Sequence, residues 1–334
     1  MLQLNNGTPF QGAIYLMPDP GGIDTLFTVV KATLVIGETL ALAETQLPVT
    51  LADEYHGEPG KSSIRTPSDV ALTKPATDVL LIGTAYAPRG RPATQMHVSV
   101  SAGGVRKALR VFGDRVWEQR GIGTALSSPA TFETMPLVWE RAYGGVDRKG
   151  TELRGEPRNP VGAGYRAHDG EKPINGLRLP NLEDPTDPIM SWKQHPAPAC
   201  FAPICAHWEP RRSHAGTYDE RWQKERAPYL PKDFDARFFQ LAPPGLVAPF
   251  LQPGAWVDVQ GASRSGQLRF QLPAVRIETT YMLDGEPQPV PANLDTVLIE
   301  PDQNRVLLVW RAALQCDKRA LRVSEVHAAA LRAA

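Results

Sequence analysis

The chain has little cysteine, no excess of charge and no long apolar run. Three cysteines in 334 residues are too few, and odd in number, for a disulfide framework, which points to a reducing compartment. With 36 basic and 36 acidic side chains the formal net charge is +0, so the usual electrostatic footprint of a nucleic-acid binder is missing. No stretch approaches the roughly 20 apolar residues of a membrane-spanning helix, and Met1 to Phe10 carry neither the basic nor the apolar part of a secretory signal. These absences lead us to expect a cytoplasmic protein with protein or small-molecule partners and with neither nucleic acid nor membrane among them.

What is present is proline and glycine, 32 and 28 residues respectively, a content that favours short strands and turns over long helices. Leu26 to Ile36, Asp78 to Tyr86, Gln95 to Ser101, Val105 to Phe112 and Phe132 to Ala142 are rich in β-branched and aromatic residues and read as strands. The same signal returns in Gln267 to Leu272, Val275 to Leu283, Thr296 to Glu300 and Val306 to Leu314. Gly103-Gly104, Gly113-Asp114, Asp284-Gly285 and Asp302 to Asn304 read as the turns between strands. Between the two β-rich parts, sixteen of the 32 prolines fall from Pro157 to Pro253, where neither a helix nor a central strand can run far. Aromatic anchors such as Phe201, Trp208, Trp222 and Phe238 argue that this centre is ordered rather than of low complexity.

The expected fold is therefore mainly β, with sandwich-like sheets from both ends of the chain, a proline-rich irregular centre and one or two short helices. We expect a single unit over 1–334, made of an N-terminal β part (1–138), central loops (139–253) and a C-terminal β part (254–334). Thr217-x-x-Glu220 fits a capping box for a helix from Tyr218 to about Arg226, ended by Pro228. Alanine-rich Lys318 to Ala334 reads as a surface helix, or as a strand followed by one.

Several constellations invite chemistry. Cys200-x4-Cys205-x-His207, with His195 and His214 as further ligands, suggests zinc, but the spacing lacks a second cysteine pair, so no metal and no cofactor is expected. Glu183-Asp184, Asp219 and Asp233 to Asp235 offer carboxylates for hydrolysis, a mechanism that depends on a separation no sequence reveals. Arg211-Arg212 with Arg221, Lys224 and Arg226 beside Tyr218 and Trp222 forms a modest basic cluster, read first as a solvated helix face. The reading preferred over catalysis is structural: in loops short of regular hydrogen bonds, Arg141, Asn159, Asn181, Asp184, Arg211 and Arg212 staple backbone amides and carbonyls.

The order of the motifs is more specific than any of them alone. It begins with Trp139-Glu140-Arg141-Ala142-Tyr143-Gly144-Gly145, Asn159-Pro160-Val161-Gly162-x-Gly164-Tyr165 and Leu179-Pro180-Asn181-Leu182-Glu183-Asp184-Pro185. It continues through Trp208-x-Pro210-Arg211-Arg212, Ala215-Gly216-Thr217-Tyr218-Asp219 with Trp222, and Pro231-x-Asp233-Phe234-Asp235-x-Arg237-Phe238-Phe239. In this order the motifs resemble the bacterial domain-of-unknown-function family 2169, whose members occur as adaptors for type VI secretion effectors. The resemblance implies a non-catalytic adaptor or chaperone that binds a secreted toxin effector and helps load it onto the VgrG spike. The chain departs from the pattern at Pro244-Gly245-Leu246-Val247 and around Cys200 and Cys205. Arg211, Arg212, Tyr218, Trp222 and Arg226 are the expected partner anchors, being of the residue types that dominate protein interfaces. The rival readings are a hydrolase using Asp184, Asp219 and Asp233, and a carbohydrate-binding module using exposed aromatics.

Overall fold

Turn residues and apolar alternation set the strands. The computed structural model describes residues 2–147, 154–167 and 174–332. Its main strands are β1 (Gln3–Asn6), β2 (Gln11–Pro18), β3 (Asp24–Val35), β4 (Thr77–Leu81), β5 (Gln95–Ala102) and β6 (Val105–Phe112). In the C-terminal part these are followed by β7 (Trp256–Gln260), β8 (Gln267–Gln271), β9 (Val275–Leu283), β10 (Glu286–Glu300), β11 (Arg305–Gln315) and β12 (Val323–Arg332). Asp284 and Gly285 both take positive φ, 56° and 82°, the geometry of a two-residue hairpin turn whose twist matches its strands. β9 and β10 accordingly pair outward from Leu283 opposite Glu286.

One sheet runs β1-β12-β9-β10-β11-β3-β2, with β4 added parallel to the C-terminal half of β10. It curls until its ends meet, since a Cβ placed on Gly12 of β2 would lie 2.9 Å from Leu4 of β1. The curl closes over a small core of Leu26, Tyr281, Leu283, Val323 and Val326. The second sheet runs from Leu182–Glu183 through β6, β5 and β7 to β8. Val98, Val100, Val257 and Val259 of this sheet share one core with Val30, Leu34 and Leu308 of the first and with Trp139, Phe201 and Trp208 of the central loops. Each such side chain contributes roughly 1.5–3 kcal/mol on burial, so all three parts of the chain are tied to one apolar interior. The mainly β class expected from the sequence is the one observed, with the larger sheet curled nearly closed rather than lying flat as in a sandwich.

Several expectations are corrected. β3 is buried on both faces: the Lys31 side chain reaches Thr50 and Asp69 of the segment 43–73, and Gln46 accepts from the Thr33 amide and donates to the Thr33 carbonyl, both at 2.8 Å, in place of a neighbouring strand. β10 begins ten residues before the expected Thr296. Its Pro287, Pro289 and Pro291 stand opposite Met282, Thr280 and Glu278 of β9, in the half of the strand that β11 does not reach. The missing N–H groups thus face an edge with no partner, where proline costs no ladder bond. The Phe132 to Ala142 strand shrinks to Thr134–Pro136, and Trp139–Arg141 turn as a 3-10 helix. Asp78 to Tyr86 breaks after Leu81 and resumes as Thr84–Tyr86. Asp317–Arg322 form a 3-10 turn, and the alanine-rich end is the strand β12, paired to both β9 and β1. Sheet pairing overrides alanine's helix propensity there.

Candidate functional site

The motif residues converge on backbone. Asn159, fully buried, donates its Nδ2 to the carbonyls of Trp139 (2.8 Å) and Tyr143 (2.9 Å). Glycine is required around it: a Cβ on Gly162 would meet Asn159 Nδ2 at 2.4 Å and Ala142 O at 2.6 Å, and Gly144 and Gly145 take φ of 146° and 99°. Pro160 sits in the turn that Gly162 closes on the Asn159 carbonyl. Trp139 donates to the carbonyls of Ala202 and Pro203 and meets Trp208 edge to face at 6.0 Å. Glu140 accepts from the amide and hydroxyl of Ser63 at 2.7 and 2.8 Å. Arg141 reaches Asp114 and Asn181, and Asn181 in turn donates to Phe112 O and Asp114. Glu183 is buried against Arg115 at 2.5 Å, and the Arg115 guanidinium lies 3.7 Å from the centre of the Phe112 ring. Tyr143 is buried, which raises its hydroxyl pKa above the usual range. The expected stapling role therefore fits Trp139, Glu140, Arg141, Asn159, Asn181 and Glu183. Asp184 and Arg212 are the exceptions: among the described residues the Asp184 carboxyl accepts only from the amide and hydroxyl of Thr186, holding its own turn, and the Arg212 side chain makes no bond.

A second polar group escaped the sequence reading. Lys31 pairs with Asp69, Arg311 with Asp295 and Lys74 with Asp78, at 2.8, 2.7 and 2.8 Å, all of them buried. The pairs are chained, because Arg311 also donates to the Asp69 carbonyl and to Tyr15, and Lys74 also reaches Thr296, which bonds Asp295. Asp78 further accepts from Gln240 and from the amides of Leu241 and Ala242. Cations and carboxylates balance along this seam, which fastens β3, β4, β10 and β11 to the end of the central loops. The sequence signal was a lone charge inside each apolar strand run, as in Val30-Lys31-Ala32 or Trp310-Arg311-Ala312.

The expected partner anchors divide. α1 spans Glu220–Glu225, and its N-cap is Asp219, which accepts from the Trp222 amide at 2.8 Å. The Thr217 capping box is thus corrected: Thr217 is held by Asp233, amide to Oδ1 at 3.0 Å and hydroxyl to Oδ2 at 2.7 Å. Tyr218 is 53% exposed and packs edge to face on Trp222 at 4.7 Å. Arg212 is exposed, and its side chain makes no bond among the described residues. Trp222 donates to Tyr229 O, and Arg226 to the carbonyls of Leu230 and Pro20, so both are half-buried and hold the arm in place. Arg211 is 6% exposed and donates to the carbonyls of Phe238 and Ile204. That fits the stapling role expected of it, and the burial removes it from the expected partner anchors. The basic cluster is offset locally, Arg221 and Lys232 pairing with Glu225 and Lys224 with Glu220.

The remaining constellations are scattered. Burial pushes the Cys200 and Cys205 thiols up to about 12, which keeps them protonated. No group of at least three His, Cys, Asp or Glu placed to hold a metal occurs among the described residues. Asp219 and Asp233 line one cleft of about 300 Å³ with Arg221, Trp222 and Lys232, and Asp184 is not part of it. Asp235 accepts from the amide and guanidinium of Arg237, which hold its carboxyl down at about 2. Phe238 packs on Phe234 and Phe239 at 5.6 and 5.4 Å.

Fold and site define a mainly β protein whose signature residues lock irregular loops onto a two-sheet core. The chain belongs to the family described as an uncharacterized protein conserved in bacteria, domain-of-unknown-function family 2169 (DUF2169), whose profile matches residues 21–311. No curated protein and no solved structure matches it. The match takes in every motif that carried the resemblance.

Proposed function

We propose that this protein is a cytoplasmic, non-catalytic adaptor or chaperone that binds a secreted toxin effector and helps load it onto the VgrG spike of a type VI secretion system. The observation that carries this reading is the division of labour within the central region. Motif side chains such as Trp139, Glu140 and Asn159 bond the protein's own backbone, while Tyr218 stays open on an ordered arm built from α1 and Arg212 on the 3-10 turn Arg211–His214 that precedes it. Such a surface suits recognition of a protein, because Tyr, Trp and Arg supply large contact area and several donors at hot spots. The resemblance of the motif order to effector adaptors supports the same assignment. The test is co-expression with a type VI toxin effector and a VgrG spike protein from the same bacterium: a stoichiometric complex that survives gel filtration is expected, and its absence with both overturns the proposal.

A hydrolase reading draws on Asp219 and Asp233 sharing one cleft. Against it, both carboxylates are occupied by the chain's own donors, Trp222 N–H in one case and Thr217 in the other. Turnover of a substrate panel that Asp233→Asn abolishes without loss of folding would favour the hydrolase over the adaptor.

A further inference from the structure

Four arginines are buried among the described residues, and three of them have their own carboxylate: Arg115 has Glu183, Arg166 has Asp147 and Arg311 has Asp295. Arg211 has none. Its Nε and Nη1 are spent on the carbonyls of Phe238 and Ile204, at 2.8 and 2.6 Å, and its guanidinium lies over the Phe238 ring. Asp53 and Asp78 act on it only through space, and the oxygens of Asp78 are already taken by Lys74, Gln240 and two backbone amides. Nη2 makes no hydrogen bond among the described residues, yet it is not one of the polar atoms sealed from solvent. A buried cation without a counter-ion is costly unless something completes it.

Arg211 lines a groove of about 310 Å³ whose walls include Pro75, Ile204, Ala242, Pro244 and Val247. The volume lies at the small end of the ~300–1,000 Å³ range of binding pockets, enough for an aliphatic side chain and a neighbouring polar group. Arg237 and His214 also line it, but Arg237 is already bonded to Asp235 at 2.5 Å and His214 lies 3.9 Å from the same carboxylate. The groove therefore combines apolar walls with one unmatched positive charge.

We infer that this groove docks a segment of the protein partner in which a leucine- or valine-sized side chain stands beside an aspartate or glutamate. The aliphatic group covers the apolar walls, and the carboxylate accepts from Nη2 and supplies the counter-ion that the chain omits. A charge-assisted bond of this kind is short and roughly twice as strong as a neutral one, so the acidic residue sets the specificity. The inference rests on the adaptor reading, since it takes the occupant to be a protein.

The test is fluorescence anisotropy of the full chain with labelled, end-blocked heptapeptides centred on Leu-Glu or on Leu-Gln, and with a third peptide whose only carboxylate is a free C-terminal leucine. The Leu-Glu peptide is expected to bind about tenfold more tightly than Leu-Gln, the ratio that one charge-assisted bond supplies, and added salt should narrow the gap. Val247→Asp, a change on the groove wall at a position 36% exposed, should weaken the Leu-Glu peptide by a similar factor with the melting temperature unchanged. Arg211→Lys should weaken it too, and if that variant does not fold, Val247→Asp decides. Equal affinity for Leu-Glu and Leu-Gln, no binding by either, or binding only through the free C-terminus overturns the inference. No secretion component enters the titration, so failure of the groove and failure of the effector complex are read separately.

Discussion

The loops that carry the Trp139 to Glu183 motifs and the arm from Thr217 to Arg237 are both irregular and proline-bearing, but they dispose of their polar groups in opposite ways. In the loops, Asn159, Asn181 and Glu183 are buried and bond to backbone or to a buried partner. In the arm, charged side chains bond mostly to one another at the surface, as Arg221 and Lys232 do with Glu225 and Arg237 with Asp235. The same residue types therefore stabilise by different amounts. A buried group left unpaired costs about 1–3 kcal/mol, whereas an exposed ion pair contributes at most about 1 kcal/mol. Loops of the first kind are scaffold, and an arm of the second kind is the surface that the proposed adaptor role would use.

The comparison is broken most severely at the seam beneath the loops. Asp78→Ala strands Lys74 and removes the acceptor for Gln240, Leu241 and Ala242, and is expected to cost roughly 3–5 kcal/mol, the range for breaking a buried pair. Urea denaturation measures it, and a midpoint like that of the parent protein would show that the seam is not structural.

Next in size is the Asn159 staple. Asn159→Ala leaves the carbonyl of Tyr143 unpaired, at about 1–3 kcal/mol, and takes from the Trp139 carbonyl one of its two donors, the other being the Ala142 amide. Gly162→Ala forces a methyl to within 2.4 Å of Asn159 Nδ2, an overpacking worth about 1–3 kcal/mol. Both should lower the melting temperature, and neither touches the arm.

In the arm the effects shrink. Asp219→Ala removes the α1 cap and should cost about 1 kcal/mol, while Thr217→Ala, an exposed change, should stay within about 0.5 kcal/mol. Paired denaturation midpoints separate the two, and the reverse order would restore Thr217 as the cap.

The smallest effect is one of pH. Arg237 holds Asp235 down at about 2, below the ~3.9 of an unfolded aspartate. Its contribution to stability is thus present above about pH 4 and is lost as pH falls through about 2. Acid titrations of the parent and Asp235→Asn should differ slightly near neutral pH and converge at the acid end. A difference that grows on acidification would contradict the assignment.

How much of this was legible depended on whether a signal was local. β6 and β9 were readable to the residue, and β3 nearly so, because alternation and flanking turn glycines lie within each segment. The N-terminal half of β10 was not, since Pro287, Pro289 and Pro291 break a strand unless the edge they face is free, and only the assembled sheet shows that edge. The helix cap was read at Thr217, but Asp219 two positions on caps α1, because Asp233 holds Thr217 from sixteen residues away. The seam was visible only as isolated charges in apolar runs, because the Lys74–Thr296 contact spans 222 positions. Arg211 was read both as a staple for loop carbonyls and as a partner anchor; its bonds to Phe238 O and Ile204 O fit the first role and its burial does not fit the second.

The most direct test of the account is a melt and a pull-down run together on Asn159→Ala and on Tyr218→Ala. The account predicts that Asn159→Ala loses melting temperature and partner binding together, whereas Tyr218→Ala, 53% exposed in the free protein, melts like the parent and loses only the complex. A Tyr218→Ala protein that binds the partner undiminished, beside an Asn159→Ala protein that melts normally yet fails to bind, would reverse the roles of scaffold and arm.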